Sequence, residues 1–475
     1  CSGDHFESGG TLESHVGFSA AVAIGRSLVV TGCLLVSRLE MKLLDPIDAN
    51  YLEGSERIGI CLPSHPLRLA RRSTKGLLWR AVRQSLQLHA QARNSLLRLL
   101  RLRSLPLLAA ALTLNQQRVV LPVIGAVRGS TLLVSPRRYA DGRFPWIAQP
   151  DALARIISLI FIPAFLLRSI HERGYRRRAF PYAADKFLYS YGRFVVWSLM
   201  LSRTQPRLVV LANDHEGKTR TLLFAARRRA VPSLYVQHAS VNDTFPVLES
   251  DYALLYGVHA AECYDRPGAR GTVFLTGTLT RAGAASVREH DTPGRRIGVA
   301  LNHFDPIDRI VAVLEQLRQV VDVHVSVRPH PRMGKSKLQE ITKLASALGV
   351  SLSLAAEEST EAFVRRCYAV IAGESAILLD AALHGVEPVY FDFPAVWRDH
   401  YGYVRDGLVR YAFSEVTDLV KSLASLRPGE SDVLDRARYY SHDIGTRYEG
   451  RGSSLASEIV AQLSRRQDPA RSAWY

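Results

Sequence analysis

The chain has 475 residues, room for two or three domains, and its 47% apolar and 22% charged content marks a globular protein rather than a disordered one. Glycine and proline are near average and no period of 20 to 50 residues recurs, which excludes solenoids and propellers. The net charge is +17, and residues 57–140 contain 15 positive charges and no Asp or Glu. A face of that kind attracts nucleic acid, anionic lipid headgroups or an acidic polymer, or is simply a solvated basic surface.

The five cysteines (Cys1, Cys33, Cys61, Cys263, Cys367) are odd in number and lack CxxC spacing, so neither a disulfide framework nor a zinc site is expected. A reducing cytoplasm fits this usage. Cys1 followed by small residues also matches the start of a mature bacterial lipoprotein. The apolar run 17–37 has the length of a membrane span, but Arg26 near its middle favours buried strands or a core helix.

In chain order, residues 57–62 (RIGICL) read as a buried strand ended by Pro63. Residues 67–112 are rich in Leu and Arg at helical spacing, with Pro106 as a break. Residues 119–124 and 131–134 read as short strands. Residues 152–172 and 182–202 read as helices. Within the first, the apolar run 156–167 is too short to span a bilayer and carries Pro163, with Arg155 and Arg168 at its ends and Arg176, Arg177 and Arg178 beyond. Such a segment lies in a membrane interface or is a buried core helix.

Strands and helices then alternate. Strands are expected at 207–212, 233–237, 251–255 and 272–275, with a helix at 219–229. The small and charged stretch 281–294 marks a boundary, after which strands fall at 297–301, 324–327, 351–354, 369–372 and 388–391, with helices at 307–320, 335–348, 360–367 and 377–384. Residues 433–463 are helical and expected to pack back across the first domain. This grammar predicts an α/β fold with two Rossmann-type parallel sheets facing a cleft. The domain limits are 1–285 for an acceptor-side domain, 290–430 for a nucleotide-binding domain and 431–475 for a helical tail.

Open parallel sheets bind ligands at the carboxyl ends of their strands, so polar residues there are the candidates. Arg328, His330 and Pro331 lie in the stiff Arg-Pro-His-Pro turn after strand 324–327. Arg and His suit a diphosphate. Gly373, Glu374 and Ser375 open a helix after strand 369–372, where backbone N–H groups favour an anion or Ser375 merely caps the helix. Asp380 follows on that helix. In the first domain, Asp214 and Glu216 follow strand 207–212, and His238 follows 233–237. Carboxylates and imidazole are the groups that deprotonate an acceptor hydroxyl, although Asp or Glu there also serves as a simple helix cap.

The order of these groups resembles GT-B-fold bacterial surface-polysaccharide transferases. In sialyltransferases and polysialyltransferases an acidic pair precedes Gly, followed by His-Pro and then Ser-Ser or Ser-Thr. Glu216-Gly217, His330-Pro331 and Glu374-Ser375 fall on that pattern. Capsule Kdo transferases and CDP-glycerol glycerophosphotransferases are also similar. The latter carry His-Gly where His238-Ala239 stands, and Ser followed by Asp where Ser375 and Asp380 stand. Residues 392–409 also look like that group.

The resemblance implies an inverting, metal-independent glycosyltransferase or alditol-phosphate transferase. It implies a nucleotide-activated donor, CMP- or CDP-linked, a glycan or lipid-linked glycan acceptor, and no separate cofactor. His238 is favoured as base, with a titration near pH 6 to 7 and Asp214 orienting the acceptor or the imidazole. With the basic region, an anionic membrane surface is expected as a partner, at the inner face of the cytoplasmic membrane. No RNP pattern, zinc finger or basic zipper occurs, so nucleic acid is not expected. The alternatives are a UDP-sugar-using GT-B enzyme, such as a 2-epimerase, or a non-catalytic scaffold binding acidic polymer.

Overall fold

The computed structural model describes residues 46–54, 74–136, 143–280, 295–426 and 430–465, and these described residues belong to one compact unit. The expected strand at 57–62, the apolar run 17–37 and the boundary 281–294 lie outside the described residues.

The first sheet contains β1 (Leu107–Ala110), β2 (Thr131–Ser135), β3 (Trp146–Ala148), β4 (Leu208–Leu211), β5 (Ser233–Val236), β6 (Tyr252–Leu255) and β7 (Thr272–Leu275). Every pairing is parallel, in the order β3-β2-β1-β4-β5-β6-β7. The second contains β8 (Arg295–Leu301), β9 (Val323–Pro329), β10 (Ser351–Leu352), β11 (Ala369–Ala372), β12 (Glu387–Phe391) and β13 (Tyr411–Phe413), again all parallel, in the order β10-β9-β8-β11-β12-β13. In both, the chain moves outward from a central strand, returns, and moves out the other way. That doubly wound order places a switch point between β1 and β4 in one sheet and between β8 and β11 in the other.

The helices are α1 (Thr74–Gln87), α2 (His89–Leu100), α3 (Leu114–Val123), α4 (Asp151–Ile160), α5 (Ile162–His171), α6 (Gly174–Thr204), α7 (Gly217–Arg228), α8 (Val258–Tyr264), α9 (Ile307–Arg318), α10 (Lys335–Leu348), α11 (Thr360–Arg365), α12 (Ile377–Leu383), α13 (Val416–Ser425), α14 (Glu430–Ala437) and α15 (Gly452–Ser464).

Two expectations for the early chain need correction. Residues 119–124 are not a strand but the end of α3. Thr113 caps that helix, its hydroxyl accepting the Gln116 N–H at 3.3 Å. The apolar run looked like a strand because Val119, Val120 and Val123 are all buried against the sheet. The helical spacing of the Leu-rich stretch 67–112 holds over α1 and α2, and the expected break comes before the strand that follows Pro106. That strand is β1, fully buried between β2 and β4. The expected helix 152–172 is broken at Phe161 into α4 and α5, bent by 71°, with Pro163 in the first turn of α5.

The tail divides. The described part of α14 packs Val433 and Ala437 into the core around α12 and β11, whereas α15 crosses back and inserts Leu455, Ala456, Ile459, Val460 and Leu463 beside α3 in the core of the first sheet. Between them the chain runs along the carboxyl ends of β6 and β7. His442 donates its N–H to the Tyr256 carbonyl at 2.8 Å, and His259 donates to the Tyr439 carbonyl at 3.0 Å. Thr278 donates its N–H to the Ser441 hydroxyl at 2.9 Å. Beyond β5, the Ser240 hydroxyl accepts from the hydroxyl of Tyr403, which lies between β12 and β13 of the second sheet, at 2.6 Å. The strand ends of the two sheets therefore face each other, the layout of two parallel sheets across a cleft that the strand alternation predicts.

Two glycines separate strain from collision. Gly277 (φ +74°) and Gly407 (φ +77°) both hold left-handed backbone, but a Cβ at Gly277 would run into the Asp443 carboxyl while none meets Gly407 within 4 Å. Gly407→Ala should cost about 1 kcal/mol from backbone strain alone. Gly277→Ala should cost about 3 kcal/mol because the crossing segment must also move. Urea unfolding of both variants measures the difference, and equal losses would show that the segment yields freely.

Candidate functional site

The first wall is built at the ends of β4 and β5. Asn213, directly after β4, makes the turn: its Oδ1 accepts N–H groups from His215 at 3.1 Å and Glu216 at 2.8 Å, and the Thr219 hydroxyl at 3.2 Å. Asn213 thus fixes the turn that leads into α7, and no side chain caps the helix itself. Glu216 occupies the N-cap position of α7 without a side-chain cap bond. Asp214 is buried, with Oδ1 3.2 Å from His215 Nδ1. Its Oδ2 meets no donor at hydrogen-bonding geometry, although the Tyr264 phenol lies near enough for the Asp214 charge to help burial raise it.

His238 follows β5. Its Nδ1 is buried with no partner. Burial first, and then the neighbouring His215, lower its pKa to about 4 against the opposing pull of Asp214. This corrects the expected titration near pH 6 to 7, since the imidazole is neutral throughout the physiological range. Gln237 is fixed by the fold, accepting the Tyr256 N–H at 2.8 Å and donating to the Ala239 carbonyl at 3.0 Å.

The opposite wall is the switch point of the second sheet. Asn302, at the end of β8, donates its amide to the Glu374 carbonyl beyond β11 at 3.1 Å and so ties the two strand ends together. The Asn302 N–H donates to the Asp305 carboxylate at 2.7 Å, and burial raises that carboxyl to about 6. Lys337 donates to the carbonyl oxygens of His303 and Asp305. The rings of His303 and His330 stand 5.1 Å apart, at the ends of the neighbouring strands β8 and β9. His330 Nδ1 accepts the Arg332 N–H at 3.0 Å, which leaves Nε2 as the protonated nitrogen of the neutral ring. His303 Nδ1 is buried and unpartnered. Burial, aided by the other ring and Arg332, lowers His330, and burial with Arg332 and Lys337 lowers His303.

Glu374 accepts the His400 N–H at 3.1 Å and the Tyr390 hydroxyl at 3.2 Å, and burial nevertheless raises it to about 7. Ser375 precedes the N-cap residue Ala376 of α12, its hydroxyl accepting the Ile377 N–H at 3.4 Å. Gly373 admits no larger residue easily, since a Cβ would come within 3.2 Å of the Phe391 carbonyl. Asp380 is raised to about 6 by burial and Glu361, and its charge adds to the burial that raises Tyr256 of the first sheet. Pro331 continues the turn beyond His330 and is exposed.

Arg328 stands apart from this group. It points to the α11 face of the sheet, donating to the Ser353 hydroxyl at 2.6 Å, the Glu358 carbonyl at 3.0 Å and the Thr360 hydroxyl at 3.4 Å, with Phe363 beneath it. These bonds give it a structural role beside the Glu358–Arg366 ion pair rather than the expected role at a phosphate. The structure instead brings in Asn302 and His303, which the sequence reading did not single out. Their signal in the sequence is their place directly after the strand at 297–301, where polar residues of a parallel sheet meet a ligand. Among the described residues no group of three or more His, Cys, Asp or Glu is arranged to hold a metal ion.

No protein-family model matches the chain, and no curated protein sequence matches it. Solved structures similar to it include the calicheamicin glycosyltransferase CalG4, at 12% identity and TM-score 0.48, covering 77% of this chain and 100% of that one. UDP-GlcNAc 2-epimerase from Neisseria meningitidis bound to UDP-GlcNAc is similar at 13% identity and TM-score 0.45, covering 76% and 100%. A UDP-glucosyltransferase from Polygonum tinctorium is similar at 9% identity and TM-score 0.44, covering 76% and 99%. Likeness at this level separates neither donor nor reaction, and the fold stands on the strand order itself.

Glu374 gives a test of the second wall that needs no substrate. Its carboxyl titrates near 7 in the fold and near 4.5 unfolded, so the folded state binds more protons between those values. Its contribution to stability is complete below pH 4.5 and is lost as pH rises through 7. Glu374→Gln keeps an acceptor for Tyr390 and His400, and should raise Tm relative to the parent progressively from pH 4.5 to 8. A constant difference would mean that the carboxyl is not held protonated.

Proposed function

We propose that this chain is an inverting, metal-independent glycosyltransferase, or an alditol-phosphate transferase of the same architecture. It takes its group from a cytidine-linked nucleotide donor and adds it to a bacterial surface glycan. The observation that carries the reading is the buried, unpartnered Nδ1 of His238, held beside Asp214 at strand ends that face the second sheet's switch point. Buried polar atoms are nearly always paired, and one left open at a doubly wound strand end is a place where a ligand completes the bonding.

The donor's phosphates lie across the ends of β8, β9 and β11, where Asn302, His303, His330 and Ser375 offer polar groups. His330 presents a protonated Nε2 to developing negative charge on the leaving phosphate. On the other side, the acceptor hydroxyl oxygen bonds to the donor's reacting centre. The bond from that centre to the nucleotide phosphate breaks, and the phosphate leaves with the electron pair. The acceptor proton goes to His238, which Asp214 orients through its influence on the imidazole. A pKa of about 4 makes His238 a weak base in the free protein. A bound diphosphate brings negative charge, which works in the same direction as Asp214 and raises it. The cytidine base and the surface glycan rest on the resemblance of residues 208–409 to the sialyl- and glycerophosphotransferases.

Transfer from CMP- and CDP-linked donors to glycan acceptors, followed over pH, tests this. The acidic limb of kcat/KM, which reports the free enzyme, should fall near pH 4, and that of kcat should lie higher. His238→Ala should lower kcat by at least about a hundredfold and abolish that limb. His330→Ala should lower turnover strongly with Tm nearly unchanged. If Asp214→Asn instead removes the limb while His238→Ala keeps its activity, the base is the carboxylate. If neither variant affects transfer, this wall is not the acceptor site.

A further inference from the structure

The segment following α4 is unusually exposed for an apolar helix. In α5 only Phe165 is buried, packed edge-on against Phe180 with ring centroids 5.6 Å apart. Outward from that anchor stand Leu167 at 64% exposure and Ile170 at 69%, with Ile160 at 76% just before the bend. On α1, which shares the same core through Leu77 and Ala81, Trp79 is 69% exposed. Scattered apolar side chains are ordinary on a protein surface, but three on one short bent arm that contributes a single core residue need a partner. The 71° bend between α4 and α5 turns this arm away from the direction of the core helix.

The surrounding charge selects that partner. Arg173 and Arg177 follow α5 directly and are exposed, as are Lys75 and Arg83 on α1 and Arg93 on α2. None of these five makes an ion pair among the described residues. Arg168 and Arg176, by contrast, are tied to Glu172 and Asp48. No single helix among the described residues is long and apolar enough to cross a membrane; α4 and α5 together have the length and composition of a broken span, but α4 is packed into the fold through Ala152, Leu153, Ala154 and Ser158, which leaves α5 to lie in an interface. The other reading of this sequence, a buried core helix, holds for α4, whose Ala152, Leu153, Ala154 and Ser158 are buried, and not for α5, where Phe165 alone is.

We propose that α5 and the end of α4 form a docking arm for an anionic lipid bilayer. Ile160, Leu167 and Ile170 enter the acyl boundary, while Arg173, Arg177 and the basic face of α1 and α2 meet the headgroups. This inference does not depend on the transferase reading, since it concerns helices outside both walls of the cleft. If that reading also holds, the arm brings the acceptor-side domain to a lipid-linked glycan.

The test is sedimentation of the full chain with vesicles of phosphatidylcholine, with and without phosphatidylglycerol, at low and high salt. Binding should require phosphatidylglycerol and weaken as salt rises. Leu167→Glu with Ile170→Glu should lower partitioning at least about tenfold, and Arg173→Glu with Arg177→Glu more than about tenfold. All four positions are exposed, so circular dichroism and Tm should be unchanged. Equal binding to neutral vesicles would overturn the proposal. So would absence of binding to either vesicle, including the case in which the apolar pair instead abolishes self-association seen by light scattering. The salt and lipid dependence of the parent protein decides the matter even if a variant fails to fold.

Discussion

The arrangement of this protein depends on the main-chain contact at Gly257. A Cβ there would come within 2.6 to 2.8 Å of the Tyr440 carbonyl and the Ser441 nitrogen, so only glycine lets the crossing segment lie flat on the end of β6. That approach permits the backbone bonds from His442 to Tyr256 and from His259 to Tyr439, which fasten the crossing segment to the end of the first sheet, with the Thr278–Ser441 and Tyr403–Ser240 bonds beside them. From it follow the return of α15 to the first core, the Tyr403–Ser240 bond and the opposition of the two sets of strand ends. A cleft fixed by backbone keeps its polar groups at set distances, which is what positioned chemistry requires.

Burial at these strand ends has one electrostatic consequence, expressed in two directions. It lowers His238, His303 and His330, and it raises Asp305, Glu374 and Asp380. Each shift favours the neutral form. The protein carries +17 overall, yet the groups lining the cleft shed charge, and the arginine expected there, Arg328, is bonded elsewhere. The chain's positive charge instead lies on the early helices and around α5. At the second wall a phosphate would meet hydrogen-bond donors and neutral imidazoles, with Lys337 and Arg332 as the nearby cations, while long-range attraction acts on the outer face.

The later two-thirds of the fold was legible in the sequence because short β-branched runs ending in polar turns alternate with amphipathic helices. The earlier part was harder for identifiable reasons. Leu107–Ala110 carries no β-branched residue and follows a Leu-rich helix, so nothing local marks it as the central strand that pairing with Leu208–Leu211 makes it. Val119, Val120 and Val123 lie on a buried helix, where an apolar run loses its period, although the Thr113-x-x-Gln116 start was a readable capping signal. At the site, strand ends located Asp214, His238, His330 and Glu374. Strand parity explains Arg328: Val325 and Val327 point into one core, so Arg328 points to the opposite face, towards α11. The lowered His238 pKa was beyond sequence reading, because it arises from desolvation and from His215, brought beside it by the pairing of β4 with β5.

The central claim is that a nucleotide docks across the ends of β8, β9 and β11. Calorimetric titration of the protein with CMP, CDP, UDP and GDP, repeated with Asn302→Ala, tests it most directly. Asn302 is chosen because its amide joins the two strand ends without belonging to the acceptor wall. The account predicts saturable binding of a cytidine nucleotide, weakened at least about tenfold in the variant, as expected for losing a hydrogen bond in a desolvated site. No heat from any nucleotide, or binding that Asn302→Ala leaves unchanged, would contradict it.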